Sequence, residues 1–89
     1  MRVGGSSMVP TIKDGATVSY ESVPFESLKI DDIIIFKKPD NDVLALARVI
    51  QITSEGLETR ADNSVSPYPW KITSKEYVGK IVGIDNPLF

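Results

Sequence analysis

The sequence predicts an all-β domain, compact and antiparallel, folded as a distorted barrel or two packed sheets with one or two short helical turns. Three observations carry this expectation. Runs rich in β-branched and aromatic residues are short, turn signals separate them at close intervals, and helix signals are weak. The turn signals are Lys13-Asp14-Gly15, Pro39-Asp40-Asn41-Asp42, Ser54-Glu55-Gly56, Asn63-Ser64 with Ser66-Pro67, and Asn86-Pro87.

Five strands fit between these turns: Ala16–Val23, Ile33–Lys37, Val43–Thr53, Leu57–Arg60 and Tyr77–Ile84. In the first, Thr17, Ser19 and Glu21 alternate with Val18, Tyr20 and Ser22, the period of a half-buried strand. Pro24 introduces one helical turn over Phe25–Lys29. Thr73-Ser74-Lys75-Glu76 has the spacing of a capping box, in which hydroxyl and carboxylate satisfy each other's backbone donors. The β-rich Tyr77-Val78 follows at once, so this too is read as a single turn.

Eighty-nine residues make one domain, residues 1–89, with a single modest core. The apolar fraction of 42% and the charged fraction of 25% are those of an ordinary globular protein. No cysteine is present, which excludes disulfides, thiolate nucleophiles and Cys-based metal sites. Histidine is absent as well, removing the commonest general base and zinc ligand. Any base must then be Lys, a carboxylate or a terminal amine. A net charge of −2, with Lys37-Lys38 as the only basic pair, argues against nucleic-acid binding. The longest apolar run, Val43 to Ala47, is far short of a membrane span, and no secretory signal opens the chain. The chain reads as soluble, with the cytoplasm favoured unless it was cut from behind a membrane anchor. Its oligomeric state is open.

The most specific stretch is Gly5-Ser6-Ser7-Met8-Val9-Pro10-Thr11-Ile12. Gly4, Gly5 and Ser6 leave the backbone uncovered, so a substrate strand can approach and amide N–H groups can face it. Pro10 restricts φ just downstream. A small-Ser-Met-x-Pro-Thr-aliphatic string resembles the nucleophile box of the signal peptidase I and LexA-type serine peptidases. The similarity continues through Lys13-Asp14-Gly15-Ala16, through Leu28 to Phe36, through Arg48-Val49-Ile50, through Thr59-Arg60-Ala61-Asp62-Asn63 and through Val78 to Gly83. Ala16, Asp31 and Ala61 replace sharper family residues along the way.

The resemblance implies an LexA/signal-peptidase-like β fold and proteolysis through an acyl-enzyme, with no cofactor and no metal. It implies Ser7 as nucleophile, its own N–H as an oxyanion donor, and Gly5 at the position of the second donor. Ser6, Met8 and Pro10 complete the substrate-binding loop, with Met8 lining a pocket for a small residue. Asp62 matches the carboxylate that supports the base or structures the site. Further on, the region of a second family carboxylate reads Ser66-Pro67-Tyr68-Pro69-Trp70.

The base itself is missing. Ala47 stands where the family places Lys or His before Arg-Val, and it has no proton acceptor. On a strand, Ala45, Ala47 and Val49 share one face while Leu46 and Arg48 take the other, so Arg48 is expected to turn away from Ser7. Its guanidinium is in any case too basic to take a proton. Lys37 or Lys38 reaching across, or Asp62 acting through water, are the remaining substitutes. Softened residues at Ala16, Asp31, Ala61 and Tyr68 fit natural divergence better than a single deliberate replacement. The expectation is a signal-peptidase-like serine endopeptidase domain with impaired catalysis; the alternative is a non-catalytic peptide-binding or partner-interaction module on the same fold. Either way the expected partner is a peptide or protein segment.

Other candidates have plainer readings. Asp31-Asp32 with Asp40 and Asp42 match no calcium-loop spacing, and turn chemistry explains each Asp. Tyr68, Trp70 and Tyr77 are read as caps on a small core, with an aromatic peptide-docking surface as the alternative. Asp85 to Phe89 reads as a frayed tail, unless Leu88-Phe89 packs back on the domain.

Overall fold

The computed structural model describes residues 1–88. Five strands, β1 (Thr17–Glu21), β2 (Ile33–Lys37), β3 (Leu44–Thr53), β4 (Gly56–Arg60) and β5 (Tyr77–Asp85), follow the expected segments closely. The turn after Pro24 is a 3-10 turn at Phe25–Ser27. All strands belong to one antiparallel sheet of order β1-β5-β2-β3-β4. Loop segments, not a second sheet, therefore cover its faces. Register shifts at Ser19/Tyr20, Ile35/Phe36 and Val49/Gln51 mark bulges, which bend strands and increase local twist.

β2 explains why both faces need covering. Ile33, Ile34, Ile35 and Phe36 are consecutive and all buried, the signature of a central strand packed on two sides. Alternation sends Ile33 and Ile35 into one cluster with Val3, Met8, Ile12, Val18 and Ile81. Ile34 and Phe36 enter a second with Leu28, Ala47, Val49, Leu57 and Ile72. The N-terminal segment roofs the first face, and the chain around Leu28 and Ile72 roofs the second. Tyr68 touches both clusters, packs edge-on against Phe36 and stacks on Trp70, which fits the core-capping reading of these aromatics.

Two outer edges are partly closed by the chain itself. Residues 1–3 bridge to β1 through Arg2–Thr17, Val3 N–H to Ala16 O and Val18 N–H to Met1 O. On the other edge, Leu57 and Ile72 exchange both backbone hydrogen bonds at 2.8 Å. Gly56 permits that approach: it has φ +140°, and a Cβ there would lie 2.6 Å from the Ile72 carbonyl oxygen.

The Thr73–Glu76 turn forms as the capping-box spacing predicts, with Thr73 N–H donating to Glu76 Oε1 at 2.9 Å. The chain after Ile84 is better tethered than expected. Asp85 is still in β5, and Asn86 bonds Lys13 N–H and Thr11 O through its side chain. Leu88 is exposed and packs on nothing, while Phe89 lies outside the described residues.

Candidate functional site

The turn carrying Ser7 is held from both ends. Upstream, Val3 is locked between Ala16 and Gly15 by two backbone hydrogen bonds, and Gly5 N–H donates to Asp14 Oδ1 at 2.9 Å. Gly5 has φ +87°, a left-handed conformation that suits glycine and turns the chain outward. Downstream, Met8 O accepts Ile12 N–H at 2.9 Å. Asn63 clamps the middle: its N–H donates to Ser7 O at 2.8 Å and its side-chain amide to Ser6 O at 3.1 Å.

Ser6, Ser7 and Pro10 are exposed, and among the described residues the Ser7 hydroxyl makes no hydrogen bond. The N–H groups of Ser6, Ser7 and Met8 likewise have no acceptor among the described residues. Met8 is different. It is 1% exposed, it packs in the first cluster, and its sulfur accepts Asp62 N–H at 3.4 Å. Its side chain anchors the turn to the core and is closed to solvent, where the resemblance implied the lining of a substrate pocket.

Asp62 sits at the centre of a junction. Arg48 grips it with two charge-assisted bonds, Nε to Oδ1 at 2.9 Å and Nη2 to Oδ2 at 2.7 Å. Thr11 adds a third, Oγ1 to Oδ2 at 2.6 Å, and Arg48 Nη1 donates to Asp31 O at 2.9 Å. The Arg48 hydrogen bonds, helped by Thr11, hold the Asp62 carboxyl below the ordinary Asp range against the opposing effect of burial. Arg48 is raised in turn by its bonds to Asp62.

This corrects one expectation. Arg48 was expected to turn away from the Ser7 segment, yet it reaches Asp62, whose carboxylate accepts from Thr11 and whose backbone N–H donates to the Met8 sulfur. The strand alternation itself holds, since Arg48 pairs with Ile33 on the first face and Ala47 with Ile34 on the second. Ala47 is completely buried among apolar side chains. Thr59, opposite Val49 on β4, is also fully buried, and its Oγ1 has no partner among the described residues. Val49 and Ala47 are two residues apart on one strand face, so the orphan hydroxyl and Ala47 are diagonal neighbours, with Cα atoms roughly 7–8 Å apart.

No substitute base is supplied by the candidates. Asp62 commits both oxygens to three donors. Lys37 pairs with Leu44 at the far end of β2 from the Ile33–Arg48 row, roughly 13 Å along a strand rising about 3.3 Å per residue. Lys38 follows it, bonded by its backbone to Val43. No cluster of three or more His, Cys, Asp or Glu suited to a metal occurs among the described residues. No helix among them is long and apolar enough to cross a membrane.

Comparison with known proteins adds no relative: no family model, curated protein or solved structure matches this chain. The likeness to signal-peptidase and LexA-type enzymes rests on the motifs alone.

Proposed function

We propose that this chain is a signal-peptidase/LexA-like domain that has lost hydrolysis and kept the capacity to hold an extended peptide segment. One observation carries the first half of the reading. The positions to which the resemblance points supply no base for Ser7: position 47 is an alanine whose side chain faces the second cluster, Asp62 accepts three hydrogen bonds and Arg48 is a fixed cation. The unpartnered Thr59 hydroxyl beside Ala47 supports it, since an orphan polar atom in a core is what a lost polar neighbour leaves behind.

The second half rests on unused backbone. β4 pairs with β3 only from Arg48 onward, so Leu44–Ala47 have β2 on one side and no strand on the other. Such an edge accepts an added strand, and the free amides of Ser6 to Met8 are further donors to a peptide carbonyl.

The test compares the chain as it stands with Ser7→Ala and Ala47→Lys, using a mixed peptide library and a fluorophosphonate probe. Neither cleavage nor Ser7 labelling is expected from the chain itself, and Ala47→Lys stays unlabelled, because position 47 faces the second cluster while the Ser7 segment covers the first. Cleavage by the unaltered chain that disappears in Ser7→Ala would overturn the reading and make this a live peptidase with a base elsewhere.

A further inference from the structure

β5 is longer than its partner on the β2 side. The last β2–β5 pair is Ile34 with Lys80, whereas β5 runs on to Asp85 and pairs there with β1 alone. Beyond Lys80 the two chains separate, and a cleft of about 310 Å³ opens between them. Asp31, Asp32, Ile33 and Arg48 form one wall, and Lys80 to Ile84 form the other. This inner edge is uncovered, unlike the outer edges that residues 1–3 and Ile72 close. An exposed strand edge is a template for another extended chain.

Charge says which chain. Arg48 is occupied by Asp62 and by the Asp31 carbonyl, and Lys80 pairs with Asp32 at 3.5 Å. The Asp31 carboxylate alone among the charged groups of the walls has no hydrogen bond or ion pair. The walls are otherwise apolar, with Val82 50% and Ile84 40% exposed. We propose that this cleft is a second docking site, separate from the Ser7 turn, for an extended peptide strand that alternates apolar and basic residues. The strand adds to the free edge of β5, its apolar side chains rest on Val82 and Ile84, which share one face, and a Lys or Arg on the other face meets Asp31.

Acetyl-Val-Lys-Val-Lys-Val-amide is the probe, titrated into the ¹⁵N-labelled chain. Saturable shifts of the Ile81 to Ile84 amides are expected. The Glu-containing counterpart binds more weakly, and backbone N-methylation of the probe abolishes binding, because strand addition needs its N–H groups. Asp31→Asn retains a residue tolerant of the φ of +80° found there and weakens binding about fivefold, the loss of one exposed ion pair. Val82→Lys, which places a cation in the cleft, weakens it independently. Shifts confined to Gly5–Met8 and Leu44–Ala47 would overturn the proposal and assign the peptide to the first site. Equal binding of the Glu peptide, full affinity after N-methylation, or β5 shifts that follow protein concentration without peptide would overturn it as well, the last by making the occupant a second copy of this chain.

Discussion

The Arg48–Asp62 junction, which bonds to Thr11 and Met8, and the Ser7 hydroxyl belong to the same N-terminal segment's surroundings, yet they are built to opposite standards. At the junction, one carboxylate takes three hydrogen bonds from two separate segments, and the guanidinium extends the network to the Asp31 carbonyl. At Ser7, an exposed hydroxyl has no hydrogen-bond partner among the described residues. The difference shows where the polar groups of this motif are invested. Those that fasten the N-terminal segment to the sheet are complete; those that would move a proton are not.

Substitutions along the turn break this contrast in a graded way. Met8→Ala has the largest effect, because it removes a fully buried side chain that touches both the core and Asp62 N–H. A loss of about 3 kcal/mol is expected by urea denaturation. Asp62→Asn comes next, at about 2 kcal/mol, since Arg48 then keeps a partly buried charge without its counter-charge.

Acid titration reads the same junction. The Asp62 carboxyl is depressed by Arg48 and the Glu76 carboxyl by the Thr73 backbone N–H. Groups with folded values below their unfolded values contribute stability that is complete above the unfolded value, near pH 4, and fades as pH falls through the folded one. Stability is therefore expected to drop below about pH 4, and Asp62→Asn should flatten that drop while leaving the Glu76 part. An unchanged acid slope in Asp62→Asn would place the depression elsewhere.

Thr59→Val sharpens the comparison from the other side of the sheet. Replacing an unpartnered buried hydroxyl with a methyl of similar shape should stabilise the domain by about 1 kcal/mol, seen as a raised Tm. Ser7→Ala is the smallest change, within about 0.5 kcal/mol. Met8→Ala and Ser7→Ala are neighbours in sequence, so unequal costs of this size would separate anchoring from chemistry within one turn. Equal costs would show that Ser7 carries structure after all.

Much of the fold was legible because strand and turn signals are local. The Ile33–Lys37 run announces a strand, though not its burial on both faces, and Thr73 with Glu76 announces a turn that closes on its own side chains. The role of Arg48 was not legible. Alternation correctly separates Ala47 from Arg48, but period-two patterning gives only relative faces; it cannot say which face the N-terminal segment will cover. Met8 failed for a related reason, since a residue's place in a motif does not tell how deeply the turn will seat it. The cleft beside β5 was invisible too, because it arises from unequal strand lengths across a register.

The sequence by itself determined the strand order along the chain, the turns and the absence of His, Cys and any acceptor at position 47. These follow from side-chain chemistry and backbone preference within a few residues. Only the tertiary structure decided that Arg48 and Asp62 meet, that Met8 is core, and that β5 keeps an open inner edge. Those outcomes depend on which distant segments pack together, and burial and hydrogen-bond satisfaction choose among such pairings only for the whole chain at once.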